Sequence, residues 1–162
     1  MPFVLIRTAA NLAEEAFEAN GDDYNKYIPY RVCLFRAGRT AEARSVGTRM
    51  NEVLRKQLET VPEDVRARIL LSSNLAEGGE SEESIRHLQT AMVLRPNDGT
   101  TLYNAACTYG CLKIKKEALD MLKRAFASGY GNRDWAARDS DLDCLHDDPE
   151  FRELEGLRDA TS

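Results

Sequence analysis

Four cysteines and two histidines are the soft and imidazole side chains of the 162-residue sequence. Cys107 and Cys111 stand four apart, on one face of any helix that contains them, a spacing metals can use. No second pair accompanies them, and Cys144-Leu145-His146 is too generic to complete a zinc site. The pair reads as small core residues, and no metal is expected. His87 lies among Ile85, Leu88 and Met92 and reads as a solvated or rim side chain. Gly78-Gly79 lacks the Gly-Lys-Ser/Thr ending of a phosphate loop, and no strand precedes it. No nucleophile–base pair emerges from the spacing. The expectation is no cofactor, no catalytic residue and no enzyme.

The tail holds a more tempting set. Counting from Asp139, acids fall at positions 1, 3, 5, 9 and 12: Asp139, Asp141, Asp143, Asp147 and Glu150. Those are oxygen-ligand positions of a calcium-binding EF-hand loop. Position six, where that loop needs glycine, is Cys144, and Pro149 stands beside the residue that should be bidentate. A calcium loop at 139–150 is therefore only a remote alternative.

What must position these residues is a soluble, mixed-composition chain: 43% hydrophobic and 30% charged, with a net charge of −5. Residues 133–159 hold ten acids and four bases, so the acidity is local and the rest is close to neutral. No basic surface for phosphate is evident, and nucleic acid is an unexpected partner. No apolar run is long enough to span a membrane. The start, "MPFVLIRTAA", has no basic residue before its short apolar run and is not a signal peptide. The expected location is cytoplasmic, with reduced cysteines.

A 34-residue period organises the chain. With 65–98 laid over 99–132, Leu71 falls on Ala105, Ser72 on Ala106, Ser84 on Ala118, Leu88 on Leu122 and Ala91 on Ala125. Each unit reads as helix, short turn, helix. The pattern resembles the tetratricopeptide repeat (TPR), with Leu71-Ser72, Leu75, Ser84, Leu88, Ala91 and Pro96 on its signature offsets. Leu102, Ala105-Ala106, Tyr109, Ala118, Leu122 and Ala125 follow in the next unit, where Tyr130 replaces the closing proline. The resemblance implies an all-α, right-handed solenoid in which the small residues of "LYNAACTYG" lie where helices pack closely.

A looser unit precedes these, with Tyr27, Tyr30, Leu34, Ala43, Gly47 and Met50 on the offsets. Its second helix is expected to run on through Leu58 until Pro62 breaks it. The organisation expected is a single domain, 1–162. It comprises a lone helix of a partial repeat at 3–22, units at 24–61, 65–98 and 99–132, and a cap at 133–160. A start in mid-repeat is what a piece of a longer solenoid would show. The run from Gly129 to Leu154 resembles the closing segment of TPR arrays in bacterial kinase, cyclase and regulator proteins. On that resemblance Trp135, Leu142, Leu145, Phe151 and Leu154 cover the last repeat, and Asp148 caps the final helix with Pro149 at its first position.

In TPR proteins the first helix of each unit lines a concave groove that takes peptides. The resemblance then implies a binding surface of Asn25, Ile28, Val32, Phe35, Arg66, Ile69, Ser73, Thr100, Tyr103, Asn104 and Cys107. The offsets used to clamp chaperone tails hold Ile28, Val32, Leu70, Thr100 and Asn104, which disfavours that ligand. A partner protein's apolar or aromatic segment suits the surface better. The alternative is a homodimer through the apolar face of Phe3–Phe17.

Overall fold

The computed structural model describes residues 23–156, so the lone helix expected at 3–22 lies outside the described residues. Among those described, every regular element is a helix. The chain divides into two compact units, Met1–Ala67 and Arg68–Ser162.

In the first unit α1 (Tyr24–Arg36) pairs with α2 (Thr40–Thr60). Tyr27, Tyr30 and Leu34 of α1 and Ala43, Met50 and Leu54 of α2 are buried. At 21 residues α2 is seven longer than the corresponding 14-residue helix Ser81–Leu94 of the next repeat, or about two extra turns. Helix α3 (Val65–Gly78) starts in the first unit and ends in the second. There follow α4 (Ser81–Leu94), α5 (Gly99–Cys111), α6 (Lys115–Ala127), the short α7 (Arg133–Ala136), a 3₁₀ helix (Ser140–Leu145) and α8 (Pro149–Gly156). One core joins Leu88, Leu102, Ala106, Leu122, Leu142 and Phe151.

Three local devices recur and define each helix pair. An aspartate stands immediately before each first helix. Asp23 accepts the Asn25 N–H (3.0 Å), Asp64 the Ala67 N–H (2.9 Å) and Asp98 the Thr101 N–H (2.7 Å). Each satisfies a donor that a helix start otherwise leaves open. The turn that follows places one residue in the left-handed region: Gly38 (φ 74°), Gly79 (φ 82°) and Lys113 (φ 60°). The next N–H then reaches back to the helix just ended: Arg39 to the Leu34 carbonyl, Glu80 to Leu75 and Ile114 to Tyr109, each at 2.9 Å. The second helices begin without a side-chain cap, but Glu42, Glu83 and Glu117 sit in their first turns, where the helix dipole favours negative charge.

The third device is close packing within a pair. Ser72 and Ser84, on α3 and α4, exchange hydrogen bonds: each hydroxyl donates to the other's backbone carbonyl, at 2.9 and 2.8 Å. Both are fully buried. One repeat later Ala106 and Ala118 hold the same offsets, also fully buried. In the first unit the offsets carry Arg31 and Ala43, and the Arg31 Nε donates to the Ala43 carbonyl (3.3 Å).

Two outcomes follow. Lys113 is a side-chain-bearing residue in a conformation that costs roughly 1 kcal/mol. Lys113→Gly should raise the denaturation midpoint, and Gly79→Ala should lower it by a similar amount, since a methyl there meets no atom within 4 Å and only the backbone suffers. Equal midpoints for both variants and the parent would remove the turn from the account. The second concerns acid. Hydrogen bonding from Thr101 holds the Asp98 carboxyl below its ordinary value of 3.8. Its stabilisation is therefore complete above pH 3.8 and lost as pH falls through the lower folded value. Asp98→Asn should show a shallower loss of stability on acidification in urea titrations at stepped pH.

Candidate functional site

Helix α1 carries two apolar faces. Tyr27, Tyr30 and Leu34 point into the first unit, whereas Val32 and Phe35 are 44% and 43% exposed, with Ile28 half-buried beside them. The Arg31 guanidinium lies 5.6 Å from the Phe35 ring centre and supports its orientation. At the start of the same face Asn25 accepts a hydrogen bond from Arg66 Nε (3.2 Å). These five expected surface residues, Asn25, Ile28, Val32, Phe35 and Arg66, therefore stand together on the first unit.

The second unit treats the same offsets differently. Thr100 is exposed and Asn104 half-buried, its amide donating to the Thr100 carbonyl at 2.8 Å. Ile69 and Ser73 are half-buried, and the Ser73 hydroxyl lies 3.3 Å from that of Thr108. Tyr103 and Cys107 are buried at 5% and 7% exposure. Their cover is the chain's own tail. Tyr130 stacks on Tyr103 with ring centres 4.2 Å apart and planes 11° apart. The Tyr103 hydroxyl donates to Asp139 Oδ2 at 2.7 Å, the Trp135 indole N–H to the same oxygen at 2.9 Å, and the Cys107 thiol at 3.6 Å. Asp139 Oδ1 accepts the Asp141 N–H at 3.1 Å and so caps the 3₁₀ helix. A buried carboxylate is tolerable because donors surround it.

Close approach makes this contact possible. A Cβ on Gly110 would lie 2.1 Å from the Asp141 backbone oxygen, a distance no side chain survives. Behind it Leu142, Leu145 and Phe151 are buried, while Leu154 is half-buried. Trp135 differs from the sequence expectation: its ring is 51% exposed, Ala136 takes the buried place, and the indole N–H is the tether. Arg133 ties the tail from the other side, lying over the Phe126 ring (4.2 Å) and donating to the Leu154 carbonyl (2.8 Å).

The five tail acids do not gather. Asp139 is the hub just described. Asp143 faces His146 Nδ1 at 3.5 Å, Asp147 faces Arg152 at 3.3 Å, and Glu150 pairs with Lys123. Asp148 accepts the Glu150 N–H at 2.9 Å and starts α8, with Pro149 as its first residue. Among the described residues, the group whose metal-ligating atoms lie within 4.8 Å of one another is Cys107, Asp139 and Asp141. Burial, with the Asp141 carboxylate nearby, pushes the Cys111 thiol pKa up to about 12. Burial raises the Cys107 thiol as well, and desolvation with Asp139 nearby raises Asp141. Neither thiol is a nucleophile at neutral pH. All four cysteines are free.

No protein-family profile and no curated protein matches the chain. Among solved structures, the chain titled MamA MSR-1 C2, a TPR-containing protein, aligns with TM-score 0.46 and 20% identity, over 78% of this chain and 68% of that one. The repeated caps, left-handed turns and paired helices make this an all-α, TPR-like helical-repeat fold. Among the described residues no helix is long and apolar enough to cross a membrane.

Asp139→Ala should cost about 1–3 kcal/mol, because the Tyr103 hydroxyl and the Trp135 indole lose their acceptor together. Gly110→Ala should cost a similar amount through overpacking. In both, tryptophan fluorescence should shift to the red before the helical circular dichroism melts. An unchanged emission curve would show that the tail is not held at this point.

Proposed function

We propose that this chain is a non-enzymatic protein-interaction module that holds an apolar or aromatic segment of a partner protein against the exposed face of α1. The observation that carries this reading is the second apolar face itself. Ile28, Val32 and Phe35 follow i, i+4, i+7 spacing while a different face of the same helix fills the core. An apolar stripe outside the core, with Asn25 and Arg66 as a polar end, fits recognition of a helical or extended segment. On the second unit Ile69, Ser73, Thr100 and Asn104 are proposed as further contact residues, and Tyr103 and Cys107 as the floor covered by the tail. We take 24–61, 65–98 and 99–132 as the units and 133–160 as the cap, working as one module in the cytoplasm. The setting this fits is that of the arrays attached to bacterial kinase, cyclase and regulator proteins. Nucleic acid and membrane are not its partners on this reading.

Selection of a displayed peptide library, with light scattering on the purified chain, tests the proposal. The expected result is a monomer that enriches aromatic or aliphatic peptides, whose affinity falls at least tenfold, or about 1.4 kcal/mol, in Val32→Ser/Phe35→Ser. A dimer that this double substitution dissociates would instead make a second copy the occupant. Peptides that bind parent and variant equally would place recognition elsewhere.

A further inference from the structure

Cys107 and Cys111 lack a sequence neighbour that would complete a metal site, yet the fold supplies a second pair from the tail. Asp139 and Asp141 start the 3₁₀ helix directly over this face of α5. The Asp139 carboxylate meets the Cys107 thiol, and Asp141 brings a second carboxylate to the same cluster. We infer that Cys107, Cys111, Asp139 and Asp141 form a binding site for a thiophilic divalent cation of the zinc type, which staples the tail to α5.

Geometry supports it first. Tetrahedral zinc, with bonds of about 2.3 Å to sulfur and about 2.0 Å to a carboxylate oxygen, holds those two atoms roughly 3.5 Å apart. The Cys107 sulfur and Asp139 Oδ2 are separated by 3.6 Å, and Asp141 brings a third ligand atom within 4.8 Å of both. The cation would sit where the Cys107 thiol proton now bridges sulfur and oxygen. Cys111, one helical turn after Cys107 on the same face of α5, is the residue proposed to complete four ligands by a side-chain rotation.

Charge supports it second. Asp139 and Asp141 set two carboxylates beside the Cys107 thiol. A field that disfavours thiolates on their own favours a cation among them. Binding releases both thiol protons to solvent as the divalent ion enters, so the charge of the cluster does not change. Tyr103 and Trp135 keep their hydrogen bonds to Asp139 and would orient it as a ligand.

The test is titration of the full, reduced chain with cadmium, followed in the ultraviolet thiolate-to-metal band, with zinc as competitor. One equivalent of cadmium should give a saturating band that zinc abolishes, with proton release in weakly buffered solution and a raised melting midpoint. Cys111→Ser and Asp141→Asn, at the partly open edge of the cluster, should each weaken affinity by about tenfold or more, as even outer partners of metal ligands do. Cys33→Ser and Cys144→Ser should leave it unchanged. Absence of a band, or a band that survives Asp141→Asn and Cys111→Ser, would overturn the assignment.

Discussion

Two helices joined by a short turn can pack only if something at their closest point gives way. The whole fold follows from how that is solved three times. In the third pair the solution is absence, Ala106 and Ala118 offering methyl groups alone. In the second it is exchange, with Ser72 and Ser84 turning their hydroxyls into hydrogen bonds to the facing backbone. The first pair puts a long side chain at this point, and the room comes from α2. A Cβ on Gly47 would lie 3.2 Å from the Arg31 guanidinium carbon. Arginine can occupy a small-residue offset because the residue usually bulky on the partner helix is missing. Once the pair is this close, the connecting turn has no freedom, and a left-handed residue appears at the same offset each time.

The same offsets do not have the same exposure. Ile28, Val32 and Phe35 correspond by repeat position to Tyr103, Cys107 and Gly110. The first three are half-buried or open; the second three are covered. Repeat position fixes the direction in which a side chain points. Whether that direction leads to water depends on what the chain lays over it, here Tyr130, Asp139 and Asp141. A surface deduced from offsets alone must therefore be divided into open positions, such as Val32 and Phe35 on the first unit and Thr100 on the second, and the sealed positions Tyr103 and Cys107 beneath the tail.

Much of this was legible in the sequence. The 34-residue period, the small residues of 102–110 and the long α2 stopping before Pro62 are local features, and periodicity reads local features well. The contact of Gly110 with Asp141 was not, because 31 residues separate them and no spacing rule links a helix glycine to a distant carbonyl. Lys113 concealed the left-handed residue of the third turn for the opposite reason. The turn's usual glycine signal is missing there although its conformation is present. Asp23, Asp64 and Asp98 were visible in principle. Their spacings differ because the two extra turns of α2 push the second aspartate along.

The tail acids show how a real pattern can carry the wrong meaning. Aspartate is the residue of choice for opening short helices, since its carboxylate reaches the N–H two residues on. A segment that starts two helices within ten residues, at Asp139 and Asp148, must concentrate such carboxylates at close spacing. Capping accounts for Asp139 and Asp148, and with the other acids between them the segment resembles a calcium loop by arithmetic. The remaining acids are engaged too: Glu150 with Lys123, Asp147 with Arg152 and Asp143 with His146. Part of the charge that distinguishes this segment from the neutral body is thus engaged within the tail itself, and Glu150 ties it to Lys123 of α6. A partner recognised by charge would have to compete with those contacts, whereas one recognised by apolar contact at Val32 and Phe35 would not.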